Sequence, residues 1–241
     1  MGSDALTRTL YELTGTLVSD FDVIDLLTLL TERCVEILDI SEAGIVLAPS
    51  ARDLGVMAAS SESVRLLELL EVQALDGPCL DCLRTGAAVL QNDLTMAYDI
   101  WPHFAPECLQ AGFRSVLALP IRLRGETIGA LNLFRADKGG VNDADIRSGQ
   151  ALADIAAIAI HLHFFSLPIH VTSEQLRHIL DSRVVIEQAK GMLSHMAAVN
   201  VEATFGIMRT YALSQGLGVI DVAEGVINGT LTVHSLLLPG A

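Results

Sequence analysis

Leucines recur at positions 6, 10, 13 and 17, the spacing of one helix face, and a second apolar stripe runs through Val23, Leu26, Leu27, Leu30, Cys34, Ile37 and Leu38. Asp22 stands just before that stripe, where a carboxylate can accept the first free backbone N–H groups of a helix. The period then changes. Residues 43–48 and 55–59 are short β-prone runs and 61–72 is helical. Residues 115–123 and 127–135 are long apolar runs around Arg124-Gly125-Glu126, which predicts a hairpin. A helix rich in alanine and isoleucine over 145–165 closes this part. Strands and helices mixed in this way predict an α+β domain, an antiparallel sheet flanked by helices.

Beyond Pro168 the alternation is helical only. A linker is expected at 166–172, with a fresh helix start at Thr172-Ser173-Glu174. In the first helix Arg183, Glu187, Lys190 and Ser194 read as an outward polar stripe, and Val185, Ala189, Met192, Leu193 and Met196 as the inward one. Val201, Phe205, Met208 and Ala212 share a face of the second helix, and Val219, Val222, Ala223, Val226 and Ile227 a face of the third. Asn200 suits the start of the second helix and Gly216 its left-handed exit. The expected division is therefore residues 1–167, an α+β domain, and residues 168–241, an all-α three-helix bundle.

Charge changes the functional picture more than the fold. The chain carries a formal −14, and 51% of its 241 residues are hydrophobic, ample for two cores. Residues 1–167 hold 23 acidic and 11 basic groups, and residues 168–241 hold six and four. Such a balance opposes indiscriminate binding to nucleic acid or acidic membranes. The most apolar segment, 151–167, spans 17 residues and contains Asp154, His161 and His163, so no membrane crossing is expected. No leader pattern precedes the first helix, and a cytoplasmic location is expected. No phosphate-cradling glycine loop, Gly-x-Ser-x-Gly elbow or phospho-acceptor aspartate set is present, so neither an enzyme nor a bound cofactor is expected.

The segment Arg183-Val184-Val185-Ile186-Glu187-Gln188-Ala189-Lys190-Gly191-Met192-Leu193, followed by 202–212 and 221–227, resembles the ANTAR family of RNA-binding antiterminator modules over 176–227. The resemblance implies a three-helix unit that, as a homodimer, binds paired RNA hairpins through their loops and prevents a terminator from forming. Arg183, Gln188, Lys190 and Arg209 are the matching positions expected to meet RNA. The chain departs from the family at 213–218, where basic residues and an asparagine are usual and Leu-Ser-Gln-Gly-Leu-Gly stands here. Phosphate attraction is therefore weak, and binding has to draw on loop shape, stacking and two-headed presentation. An exposed cationic ridge is the premise: burial of Arg183 and Lys190 would remove it. The alternative reading is a bundle that docks on protein.

Asp76-Gly77-Pro78-Cys79-Leu80-Asp81-Cys82, Thr85-Gly86, Trp101-Pro102, 112–116, Leu119-Pro120 and 128–133 resemble the GAF family over most of 20–165. This implies a sensor with a pocket over the sheet, able to take a small molecule. The Asn-Lys-x-Asp-Glu signature of cyclic-nucleotide binding is missing, and so is any bilin or haem attachment pattern, so the ligand is not readable. Trp101 and Phe104 read either as a loop covering that pocket or as core. Among four cysteines, Cys79-x-x-Cys82 reads as packing, as a redox pair at a helix start, or as half of a metal site lacking its other ligands.

Overall fold

The computed structural model describes residues 2–18, 21–50, 53–163 and 173–237. The chain divides into two compact units, Met1–Arg177 and His178–Ala241. The expected linker at 166–172 lies outside the described residues.

In the first unit, helices α1 (Gly2–Val18) and α2 (Val23–Ile37) precede the hairpin strands β1 (Glu42–Ser50) and β2 (Asp53–Ala59). Asp22 caps α2 as expected, accepting from Ile24 and Asp25 N–H. Helices α3 (Glu62–Ala74) and α4 (Pro78–Thr85) follow, then a short strand β3 (Val89–Gln91), a 3-10 turn at Leu94–Met96 and helix α5 (Phe104–Gln110). β3 and α5 escape sequence reading because each is too short to show a period. Strands β4 (Ser115–Leu123) and β5 (Glu126–Arg135) and helix α6 (Asp143–His163) complete the unit. The β4–β5 turn has Arg124 and Gly125 both at positive φ (54° and 89°), the two-residue turn whose twist matches its strands.

The five strands form one antiparallel sheet in the order β2-β1-β5-β4-β3. One face carries Ile45, Leu117, Leu119, Leu131 and Leu133, all buried. On this face Gly149 lets α6 come close: a Cβ there would lie 2.8 Å from Leu119 Cδ1 and 3.2 Å from Leu133 Cδ1. The apolar stripe of α6 is thus covered by the sheet, which explains its alanine richness. The opposite face carries Val46, Val116, Ala118, Ala130 and Phe134 under α3, α4 and α5. Helices on both faces account for strand sequences that are apolar at nearly every position.

The second unit holds most of α7 (Ser173–Ala197), followed by α8 (Val201–Gln215), α9 (Val219–Ile227) and α10 (Val233–Leu237). Asn200 caps α8 by accepting from Glu202 N–H, and Gly216 ends it at φ 66°, both as expected. The trio α7–α9 matches the expected three helices; α7 runs for 25 residues, and the short α10 follows, its approach loop held by Thr230 and Leu231 N–H donating to Gly225 O.

Candidate functional site

The phase of α7 differs from the sequence expectation. Its buried residues are Leu176, Ile179, Arg183, Ile186, Ala189, Lys190 and Leu193, a three-and-four spacing that includes both cations. Met192 and Met196, expected inside, are 38% and 52% exposed. Polarity misassigned the face because long arginine and lysine stems bury readily when their charged heads find partners. Here Glu187 serves both: Arg183 Nη2 lies 2.6 Å from its Oε1 and Lys190 Nζ 3.0 Å from its Oε2. The Arg183 guanidinium also sits 5.9 Å from the centre of the Phe205 ring on α8, joining two helices of the bundle.

Arg183 and Lys190, at 8% and 7% exposure, are therefore not the outward cations of a ridge. Gln188 is exposed and Arg209 is half-buried, so the expected quartet does not converge on one surface. Replacing Arg183 with alanine is expected to destabilise the bundle by about 2 kcal/mol, the scale of losing a hydrogen bond to a charged group. Urea unfolding of the variant checks this, and a surface role would leave the midpoint unmoved.

In the first unit, the Asp76–Cys82 motif works as a clasp. Asp76 Oδ2 accepts from His103 N–H (2.7 Å) and Phe104 N–H (3.3 Å), capping α5 from a distant segment. Gly77 adopts φ +151°, and a Cβ on it would lie 2.4 Å from Glu71 Oε1. Pro78 occupies the first turn of α4, and Cys79 N–H donates to Glu71 Oε1 at 2.6 Å. Asp81 Oδ2 accepts from Trp101 Nε1 at 2.9 Å. Trp101 and Phe104 turn inward at 4% and 0% exposure and meet edge to face, so they are core and not a cover over a pocket.

All four cysteines are free and buried. Burial drives the Cys79 thiol well above its ordinary range, with Glu71 and Glu68 adding to the effect. Burial likewise pushes Cys82 up to about 12, Arg122 opposing. A redox pair needs an accessible, stabilised thiolate, and here desolvation outweighs the helix start. Ellman's reagent at pH 8 is expected to leave all four thiols unmodified until the protein unfolds; fast modification of Cys79 or Cys82 would restore the redox reading. Among the described residues no group of three or more His, Cys, Asp or Glu is arranged to hold a metal ion.

Sequence reading missed the most unusual group in the first unit: Glu68, Glu71 and Asn132, all fully buried. Burial holds the Glu71 carboxyl well above the carboxylate range, against the Cys79 and Leu80 amides and with Glu68 and Asp76 reinforcing it. A signal was present: Glu68 and Glu71 fall in register with Val64 and Leu67, on the stripe that faces the core.

The GAF domain model matches residues 22–161 and the ANTAR domain model residues 174–227. No curated protein matches the chain. Among solved structures, the GAF domain of an Acinetobacter phosphoenolpyruvate-protein phosphotransferase is 14% identical, with TM-score 0.52 over 70% of this chain and 96% of that one. Free methionine-R-sulfoxide reductase from Neisseria meningitidis, in complex with its substrate, is 15% identical, with TM-score 0.53 over 67% and 92%. At these identities the likeness shows the fold alone. Among the described residues no helix is long and apolar enough to cross a membrane. With a five-stranded antiparallel sheet under helices and an ANTAR domain behind it, the chain belongs to the GAF domain family and is a GAF–ANTAR regulator of the antiterminator type.

Proposed function

We propose that the protein is a cytoplasmic transcription antitermination regulator that acts by binding rather than by turnover. Its ANTAR bundles, paired in a homodimer, hold the loops of two RNA hairpins, and the GAF sensor sets how the two bundles are presented. The observation that carries this reading is the ANTAR match over 174–227, which coincides with α7, α8 and α9. Exposed Val184, Met192 and Met196 on α7 give a homodimer apolar side chains to cover.

Charge makes the binding of an unusual kind. The second unit is acidic overall, and Arg183 and Lys190 are engaged with Glu187, so few cations meet phosphate. Binding then rests on bases splayed from loops, read by exposed amides such as Gln188. In a fluorescence titration against a two-hairpin RNA, the slope of log K against log salt is expected to be no steeper than about −1.4, two phosphates' worth for single strands. Gln188→Ala is expected to weaken binding about fivefold without changing stability, the loss of about one net hydrogen bond. A bundle that docks on protein, which the exposed Leu213 and Leu217 would also suit, gives no hairpin binding in this titration.

A further inference from the structure

The sheet face beneath α3 and α4 has one patch of small residues with a polar side chain at its centre. Asn132 on β5 pairs with Gly44 on β1 and Ala118 on β4, and Ala130 follows on the same face. An amide therefore stands in the middle of a glycine and alanine floor. Over it α3 lowers two buried glutamates. Glu68 lies directly on Gly44, where a Cβ would be 2.1 Å from its Oε1, and Glu71 fills the space left by Gly77. Asn132 Nδ2 donates to Glu68 Oε1 at 3.1 Å, and Cys79 N–H donates to Glu71 Oε1.

These bonds satisfy only half of the site. Glu71 Oε2 and Asn132 Oδ1 are both buried and have no hydrogen-bond partner among the described groups of the protein. The two side chains converge on Cys79, whose amide holds Glu71 and whose thiol faces the Asn132 amide. Glu71 Oε2 and Asn132 Oδ1, buried without partners, suit a group that brings several N–H donors and a positive charge: the donors would satisfy both oxygens, and the charge would let Glu71 ionise where burial alone keeps it neutral. An anion would raise the cost of ionising Glu71 still further, and the described residues offer no metal geometry.

We propose that the sensor domain binds a small organic cation, a molecule bearing a primary ammonium or amidinium group, whose N–H donors go to Glu71 Oε2 and Asn132 Oδ1. Two glycines make room for the two glutamate side chains, and the Asp76–Cys82 clasp holds Glu71 through the Cys79 amide. The proposal rests on the sensor half of the reading above and is independent of RNA. A bound cation would also favour ionised Glu71, which burial alone disfavours.

The test uses the full chain without RNA. Thermal unfolding is followed with methylammonium, acetamidinium, tetramethylammonium and sodium chlorides at matched ionic strength. Methylammonium or acetamidinium is expected to raise the midpoint with concentration by mass action, while tetramethylammonium, equal in charge but lacking N–H donors, tracks sodium. Glu71→Gln and Asn132→Leu should each weaken the response at least tenfold, and Glu36→Gln, on the surface, should keep it. Should Glu71→Gln not fold, Asn132→Asp serves, with tighter methylammonium binding expected from the added charge. Equal responses to all four salts, or an undiminished response in Glu71→Gln, overturns the proposal and leaves the RNA reading untouched.

Discussion

Replacing Phe104 with alanine is expected to destabilise the sensor by about 3–5 kcal/mol, the range for emptying a fully buried aromatic site. The ring opens α5 and lies in one cluster with Val64, Leu67, Trp101, Phe113, Val116 and Phe134, drawn from α3, the loops before and after α5, and strands β4 and β5. Collapse cannot refill such a site cheaply, because the cluster is held from several directions at once. The backbone of Phe104 is fixed by Asp76, and Trp101, its edge-to-face neighbour at 6.1 Å, is fixed by Asp81. Urea unfolding of the full chain, monitored at the single tryptophan, gives the number. A loss below about 1.5 kcal/mol would mean that Phe104 lines open space, as a pocket cover would, since apolar swaps that leave little strain or void cost no more than that.

Gly44→Val is expected to cost about 2–3 kcal/mol, although valine favours strands and glycine weakens them. A Cβ at 44 would lie 2.1 Å from Glu68 Oε1 and 2.4 Å from its Cδ, so the carboxylate would have to leave. Its bond from Asn132 Nδ2 would go with it. The cost therefore belongs to the pair, not to the strand. Gly44→Val combined with Glu68→Ala should be less destabilised than the sum of the two single changes by at least about 1 kcal/mol. Additive effects would show that Gly44 serves the backbone alone.

Much of this architecture was legible in the chain. Asp22, Asn200 and Gly216 announced helix ends by chemistry that is local, and Arg124-Gly125 announced a turn for the same reason. The two long strands were visible because continuous apolar runs of that length, separated by a turn, have few other uses. What the sequence concealed depends on tertiary partners. Arg183 and Lys190 read as outward because they are charged, and Glu187, with Phe205 beside Arg183, helps make their inward placement tolerable. Cys79 and Cys82 had a spacing that fits three chemistries, and burial beside Glu71 removes the thiolate. The Glu71–Asn132 site joins α3 to β5, 61 positions apart by their numbers, so no local pattern reveals it.

The correction at Arg183 and Lys190 changes what RNA recognition by this chain has to look like. In the proposed RNA reading, the lack of a cationic ridge makes single contacts weak, and two bundles acting together supply the affinity. A gel-shift titration of the full chain against a two-hairpin RNA, beside each hairpin alone, measures that dependence directly. With paired bundles, the two-hairpin RNA is expected to bind at least tenfold tighter than either hairpin; equal affinity for all three, or binding to none, rules paired recognition out.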